Sequence, residues 1–146
     1  MFKKIMQKFT SKSNSTTDIE TPPQPEQQKP PYLFEQIKVA GVTFKNGKKS
    51  RQTILRKIHF RDEPYTDGVE LGLKYYEYDG APAYYITAND EPIGNVPAEK
   101  VAYIDELIEA GKIVGITAIK VYGGGRDDEG RQINYGAEIT IKIKND

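Results

Sequence analysis

Between residues 133 and 144 the chain alternates. Ile133, Tyr135, Ala137, Ile139, Ile141 and Ile143 are separated by Asn134, Gly136, Glu138, Thr140, Lys142 and Lys144. Successive strand side chains point to opposite faces of a sheet, so a period of two specifies a half-buried β-strand. Residues 113–122 precede it across a long connector, 123–130, that opens on three consecutive glycines. The two segments predict an antiparallel hairpin. Any fold available to the chain must cover the apolar face of that hairpin.

The segments that can cover it lie upstream. Residues 37–44 (IKVAGVTF) are rich in β-formers and predict a strand, with Gly41 marking a bulge or a close backbone approach. Asn46-Gly47 marks a turn. Ser50 is placed to cap a helix over 51–60 with Ile54, Leu55 and Ile58 inward, and Pro64 closes that region. Residues 69–78, 84–88 and 93–96 predict further strands, with a turn at Asn89-Asp90-Glu91. Pro97 predicts the first position of a second helix facing Val101, Ile104, Leu107 and Ile108 inward, stopped by Gly111. Five or six strands and two helices predict an α+β fold: a small, mainly antiparallel, OB-like or partly open barrel.

The chain of 146 residues has room for one such domain, expected over 34–146. Residues 1–33 differ in composition. The stretch 10–31 has five prolines and Ile19 as its one large aliphatic residue, too little apolar surface to offset ordering entropy. It predicts a disordered tail rich in Pro, Gln and Ser. At its tip Phe2, Ile5, Met6 and Phe9 recur at helical spacing among Lys3, Lys4 and Lys8. This outlines a short basic amphipathic start suited to a protein partner's groove or a lipid surface, or a frayed end. No run is long enough to span a membrane, the start lacks the apolar core of a secretory signal, and a cytoplasmic protein is the expectation.

Several chemistries are excluded. Without cysteine there is no disulfide, thiolate nucleophile or Cys/His zinc site. His59 is the single histidine, and no acid or nucleophile stands at workable spacing from it. The glycine run lacks the setting of a phosphate loop. Asp127-Asp128-Glu129 offers hard oxygens for a divalent metal but reads first as an acidic hairpin tip. The expectation is a non-enzymatic binding module with no cofactor or metal.

Zero net charge hides an asymmetry. The span 38–61 holds eight basic residues and no acid, whereas 62–109 holds twelve acids against Lys74 and Lys100. Cations gathered on a turn and a helix face suit a phosphate backbone, although such runs also serve as solvated faces paired to acids. Five of the ten tyrosines fall within 75–85. Those pointing outward, with Phe44, can stack on unpaired bases; those pointing inward serve as core.

The residues Lys38-Val39-Ala40-Gly41-Val42-Thr43-Phe44 resemble the first strand of HIRAN domains. The later motifs come in a similar order: a helix opened by Arg51, the pair Tyr78-Asp79, then Ile93-Gly94-Asn95-Val96-Pro97 and a second helix. The resemblance spans roughly 36–122, with Tyr76 and Glu77 standing where the family has Asn and Pro. It implies an OB-like barrel that captures single-stranded DNA at its 3′ end. By position, Phe44 and Tyr78 would stack on bases, and Asp79 would accept a hydrogen bond from a terminal hydroxyl. With the basic block added, Lys45, Lys48, Lys49 and Arg51 would contact phosphates. The alternative is a protein-interaction module using the same barrel and the Phe2–Phe9 segment.

Overall fold

A computed structural model describes residues 30–146. The amphipathic Phe2–Phe9 segment and the tail reading up to residue 29 lie outside the described residues. Over the described residues the fold is α+β, with two helices and mostly antiparallel strands in three sheets. The first sheet is built from β1 (Tyr32–Lys38), β8 (Tyr135–Lys144) and β7 (Ile113–Gly123), with β8 in the middle. The second is the small hairpin of β2 (Lys45–Asn46) and β3 (Lys49–Ser50). The third is a meander of β4 (Leu71–Tyr78), β5 (Ala81–Ala88) and β6 (Glu91–Asn95). Helix α1 (Arg51–Phe60) follows β3, and α2 (Ala98–Glu109) follows β6. Among the described residues no closed barrel forms.

The alternating segment forms β8 as expected. Ala137, Ile139, Ile141 and Ile143 are buried, and β7 pairs with it as the other arm of the hairpin. Ile133 is a correction: it lies before the strand, in the loop, and is exposed. The buried face of β8 belongs to one core with Ile37 and Val39 from the first strand region, Ile54 and Leu55 from α1, Ile86 and Ile93 from the meander, and Ile104 from α2. Complete burial of such side chains stabilises by about 1.5–3 kcal/mol each before entropy is counted.

Both helices start and stop on local signals. The Ser50 hydroxyl accepts the Gln52 N–H at 3.1 Å, capping α1 as its sequence predicts. Gln52 then fastens the helix to β8: its Oε1 accepts the Tyr135 N–H at 2.7 Å and its Nε2 donates to the Tyr135 carbonyl at 2.9 Å. Pro97 precedes α2 as its N-cap rather than its first residue, and Gly111 follows the C-cap with φ +69°. Ile104 is fully buried, but Ile108, expected inward, faces solvent.

The largest departure concerns 37–44. The strand starts earlier, at Tyr32, because β8 is long enough to pair with Tyr32 through Lys38. Tyr32 and Leu33, which composition groups with the tail, are its first residues. The strand ends at Lys38 because the chain changes partner there. Val39 N–H still donates to the Ala137 carbonyl of β8 at 2.9 Å. One residue later, Ala40 exchanges two backbone hydrogen bonds with Asn95 of β6, at 2.9 and 2.8 Å. Gly41 then turns the chain with φ +68°. The segment is a crossing between two sheets, and Gly94 permits it. A Cβ at Gly94 would meet Val39 Cγ1 at 2.2 Å and the Ala40 carbonyl at 2.5 Å. No helix among the described residues is long and apolar enough to cross a membrane.

Candidate functional site

Where the chain crosses between sheets it leaves a groove of about 1170 Å³. One wall is the turn at Gly41–Phe44, the floor is β4 and β5, and the far wall is α2. Strand alternation selects the floor. The register pairs Tyr76 with Ala83 and Tyr78 with Ala81, so these four share a face with Tyr85, while Tyr84 and Ile86 point to the core. Small residues at Ala81 and Ala83 leave room between the rings. Tyr76 and Tyr85 stack at 4.0 Å between centroids and 13° between planes. Tyr78 and Phe44 stand at the rim, 73% and 62% exposed.

Beneath the rings runs a hydrogen-bonded chain. Arg51 donates from Nη1 to the Gly41 carbonyl and to Asn95 Oδ1, and from Nε to Asn46 Oδ1, each at 2.9 Å. Asn95 Nδ2 donates to the Tyr76 hydroxyl at 2.6 Å, and Asn46 Nδ2 to the Pro92 carbonyl at 2.7 Å. The guanidinium lies 5.8 Å from the ring centroids of both Phe44 and Tyr85. Burial lowers the Arg51 pKa from its ordinary value, with the hydroxyls of Tyr85 and Tyr76 acting against that. Arginine stays charged through such a shift, so a cation sits at the aromatic end of the groove. Gly41 makes space for this hub, since a Cβ there would lie 2.8 Å from Asn95 Oδ1 and 3.2 Å from Arg51 Nη1.

The α2 wall is acidic. Asp105, Glu106 and Glu109 line the groove from α2. The Tyr84 hydroxyl donates to Asp105 Oδ1 at 2.5 Å, and burial followed by this bond pushes the Tyr84 pKa up to about 12. Burial likewise raises the Tyr76 pKa. The groove therefore has mainly apolar walls, with a cation beside its stacked rings and carboxylates on the α2 wall.

Of the residues singled out by sequence, the structure brings Phe44, Arg51 and Tyr78 to the groove. Arg51 is placed differently from the outward phosphate contact expected of it. It is only 5% exposed, and its Nε and Nη1 are engaged by Asn46, Gly41 and Asn95. Lys45 and Lys48 are exposed on the β2–β3 hairpin, and among the described residues neither has a carboxylate within 4.0 Å. Lys49 does, with Glu91 at 2.6 Å. Asp79 lies outside the groove lining, at the tip of the β4–β5 hairpin. Asp79 and Gly80 both have positive φ, +55° and +80°, as a two-residue type I′ turn requires. Asp127 is committed to its own loop: its carboxylate accepts the N–H groups of Glu129 and Arg131 and the Arg131 Nε, which holds its pKa below the usual value.

Sequence reasoning missed Tyr76, Tyr85, Asn46 and the α2 carboxylates as parts of one site. The signal for Asn95 was present in the Ile93–Pro97 motif, and the signal for Tyr76 and Tyr85 in the tyrosine cluster. Nothing local connects either to Arg51. Comparisons with known protein families, with curated proteins and with solved structures yield no match.

Proposed function

We propose that the chain is a HIRAN-like, OB-related binding module, not an enzyme, and that its groove holds an unpaired end of single-stranded DNA. The observation that carries this reading is the exposure of Phe44 and Tyr78 over the stacked Tyr76–Tyr85 pair, beside the buried Arg51 cation. Exposed rings around a charged floor suit bases, because every base has a π face. Lys45 and Lys48 supply cations for phosphates at the same end. The carboxylates of Asp105, Glu106 and Glu109 repel phosphate at the α2 wall and can accept hydrogen bonds from a hydroxyl. A strand entering from the cationic end therefore terminates toward α2, and a 3′-hydroxyl is tolerated there better than a 3′-phosphate. In this chain α2, rather than Asp79, supplies the acid.

The test is fluorescence anisotropy on the full chain at low salt. The probes are a single-stranded oligonucleotide with a 3′-hydroxyl, the same with a 3′-phosphate, and a blunt duplex. Preference for the hydroxyl form supports the reading; equal binding of both single strands removes end selection. Binding of none of them favours the second reading, a protein-interaction module. That reading is supported by the same three carboxylates, which suit a basic peptide, and by the Lys49–Glu91 pair, which occupies one cation internally.

A further inference from the structure

The outer face of the β1–β8–β7 sheet is uncovered among the described residues. Its composition is set by the register. The buried row of β8 faces the core, so Glu138, Thr140, Lys142 and Lys144 face out. Opposite them β1 presents Lys38, Gln36, Phe34 and Tyr32, in that order. From β7 come Lys120 and Ala118, paired with Glu138 and Thr140. The face thus carries Lys38, Lys120, Lys142 and Lys144 against Glu138 as its one acid. Phe34 is 61% exposed, directly across from Lys142. Tyr32 faces Lys144, and Lys142 Nζ lies 4.1 Å from the Tyr32 ring centroid.

We propose that this face is a second binding surface for a single-stranded nucleic acid, separate from the groove. Three features favour that occupant. The excess of lysine favours an anionic partner. Phe34 and Tyr32 lie on one face of one strand, two residues apart, which sets their Cα atoms about 6.6 Å apart. Aromatic rings on an open antiparallel sheet among lysines are the arrangement by which sheet surfaces stack successive unpaired bases and hold their phosphates. The lysines lie on all three strands, so the track crosses the sheet from Lys144 toward Lys38 and Lys120. A lipid surface is the competing anionic partner. It would draw on the same lysines, but it has no need of two rings spaced along one strand.

The proposal is independent of the groove reading, and the experiment keeps them apart. Anisotropy of a long fluorescein-labelled oligothymidine is titrated with salt for the full-length wild type, for Lys142→Gln with Lys144→Gln, for Phe34→Ala, and for Phe44→Ala in the groove. Glutamine removes the charge while keeping a long polar side chain, and an unchanged urea midpoint shows the fold intact. Loss of two phosphate contacts lowers the salt slope by about 1.4 and weakens binding roughly 25-fold at about 0.1 M salt. Phe34→Ala weakens binding roughly fivefold or more with the slope unchanged. Loss in the Phe44 variant alone overturns the sheet-face proposal and leaves the groove; loss in the sheet variants alone does the reverse. Wild-type protein that fails to bind the oligonucleotide overturns both. Co-sedimentation with phosphatidylserine vesicles, lost in the lysine variant while oligonucleotide binding is kept, overturns the proposal in favour of a membrane surface.

Discussion

Gly94→Ala tests the crossing on which the groove depends. Gly94 does not need positive φ, so alanine is allowed by its backbone and only packing decides the outcome. Two effects oppose each other. Alanine restricts the unfolded chain, which stabilises by about 0.4–1 kcal/mol. Its Cβ, however, would sit 2.2 Å from Val39 Cγ1 and 2.5 Å from the Ala40 carbonyl, and the latter is backbone with nowhere to swing. Overpacking of this kind costs about 1–3 kcal/mol. Relief by moving the 39–41 segment away strains the two Ala40–Asn95 hydrogen bonds, each worth about 1 kcal/mol net. The clash wins, with a net loss of about 2–4 kcal/mol. At a urea m-value near 2 kcal/mol/M the midpoint falls by about 1–2 M. The assay is urea unfolding followed by circular dichroism, with Gly115→Ala as the control. Gly115 has open space at its Cβ position, and that variant should match or exceed wild type. A Gly94→Ala protein as stable as wild type would refute the close-approach account of this crossing. The same variant should weaken oligonucleotide binding, because the crossing positions Gly41, Phe44 and Asn95 together.

The same geometry sets other expected outcomes. Phe44→Ala should lower oligonucleotide affinity by about 1–3 kcal/mol while leaving the urea midpoint in place, since the ring is largely exposed; a fall in stability without a fall in affinity would reassign it to packing. Lys45→Ala with Lys48→Ala should flatten the salt slope by about 1.4, and an unchanged slope would remove the β2–β3 hairpin from the interface. Arg51→Lys keeps a cation but not the fork that reaches Gly41, Asn46 and Asn95. It should destabilise by about 2 kcal/mol, whereas a purely ligand-contacting arginine would leave unfolding unchanged. Tyr84 titrates near 10 when unfolded and at about 12 in the fold. Its contribution is complete below about pH 10 and is lost as pH rises toward about 12. Tyr84→Phe should therefore lose less stability across that window than wild type, as read from urea midpoints at stepped pH.

The features legible in the sequence were those that local chemistry specifies. The period of two announced β8, Ser50 announced its helix, and Asn46-Gly47 its turn, because each signal resides in residues next to its effect. The 37–44 segment misled because β-forming composition is blind to partner. Lys38 pairs with Glu138 and Ala40 with Asn95, so an apparently continuous strand divides between two sheets. Arg51 misled for a related reason. A cation in a run of cations predicts a solvated face, and it is the Gly41 carbonyl with Asn46 and Asn95, brought in from β2 and β6, that draws it under the rings. The tyrosine alternation was correct in kind, with Tyr76, Tyr78 and Tyr85 on one face and Tyr84 on the other, but which face bordered a groove depended on α2.

The position of β8 bears on how the molecule assembles. It is the central strand of its sheet, yet it comes after every other element in chain order, and Tyr32 finds its partner only at Lys144. During synthesis the meander and α2 have nearby partners as soon as they emerge, whereas β1 waits for nearly the whole domain to be made. Until then a strand bearing Tyr32, Leu33, Phe34 and Ile37 is unpaired on both edges and is open to pairing with another chain. Closing so long a loop is slow relative to hairpin formation. Refolding should therefore be limited by docking of the first strand, and the yield of soluble protein should be most sensitive to concentration and temperature during that interval.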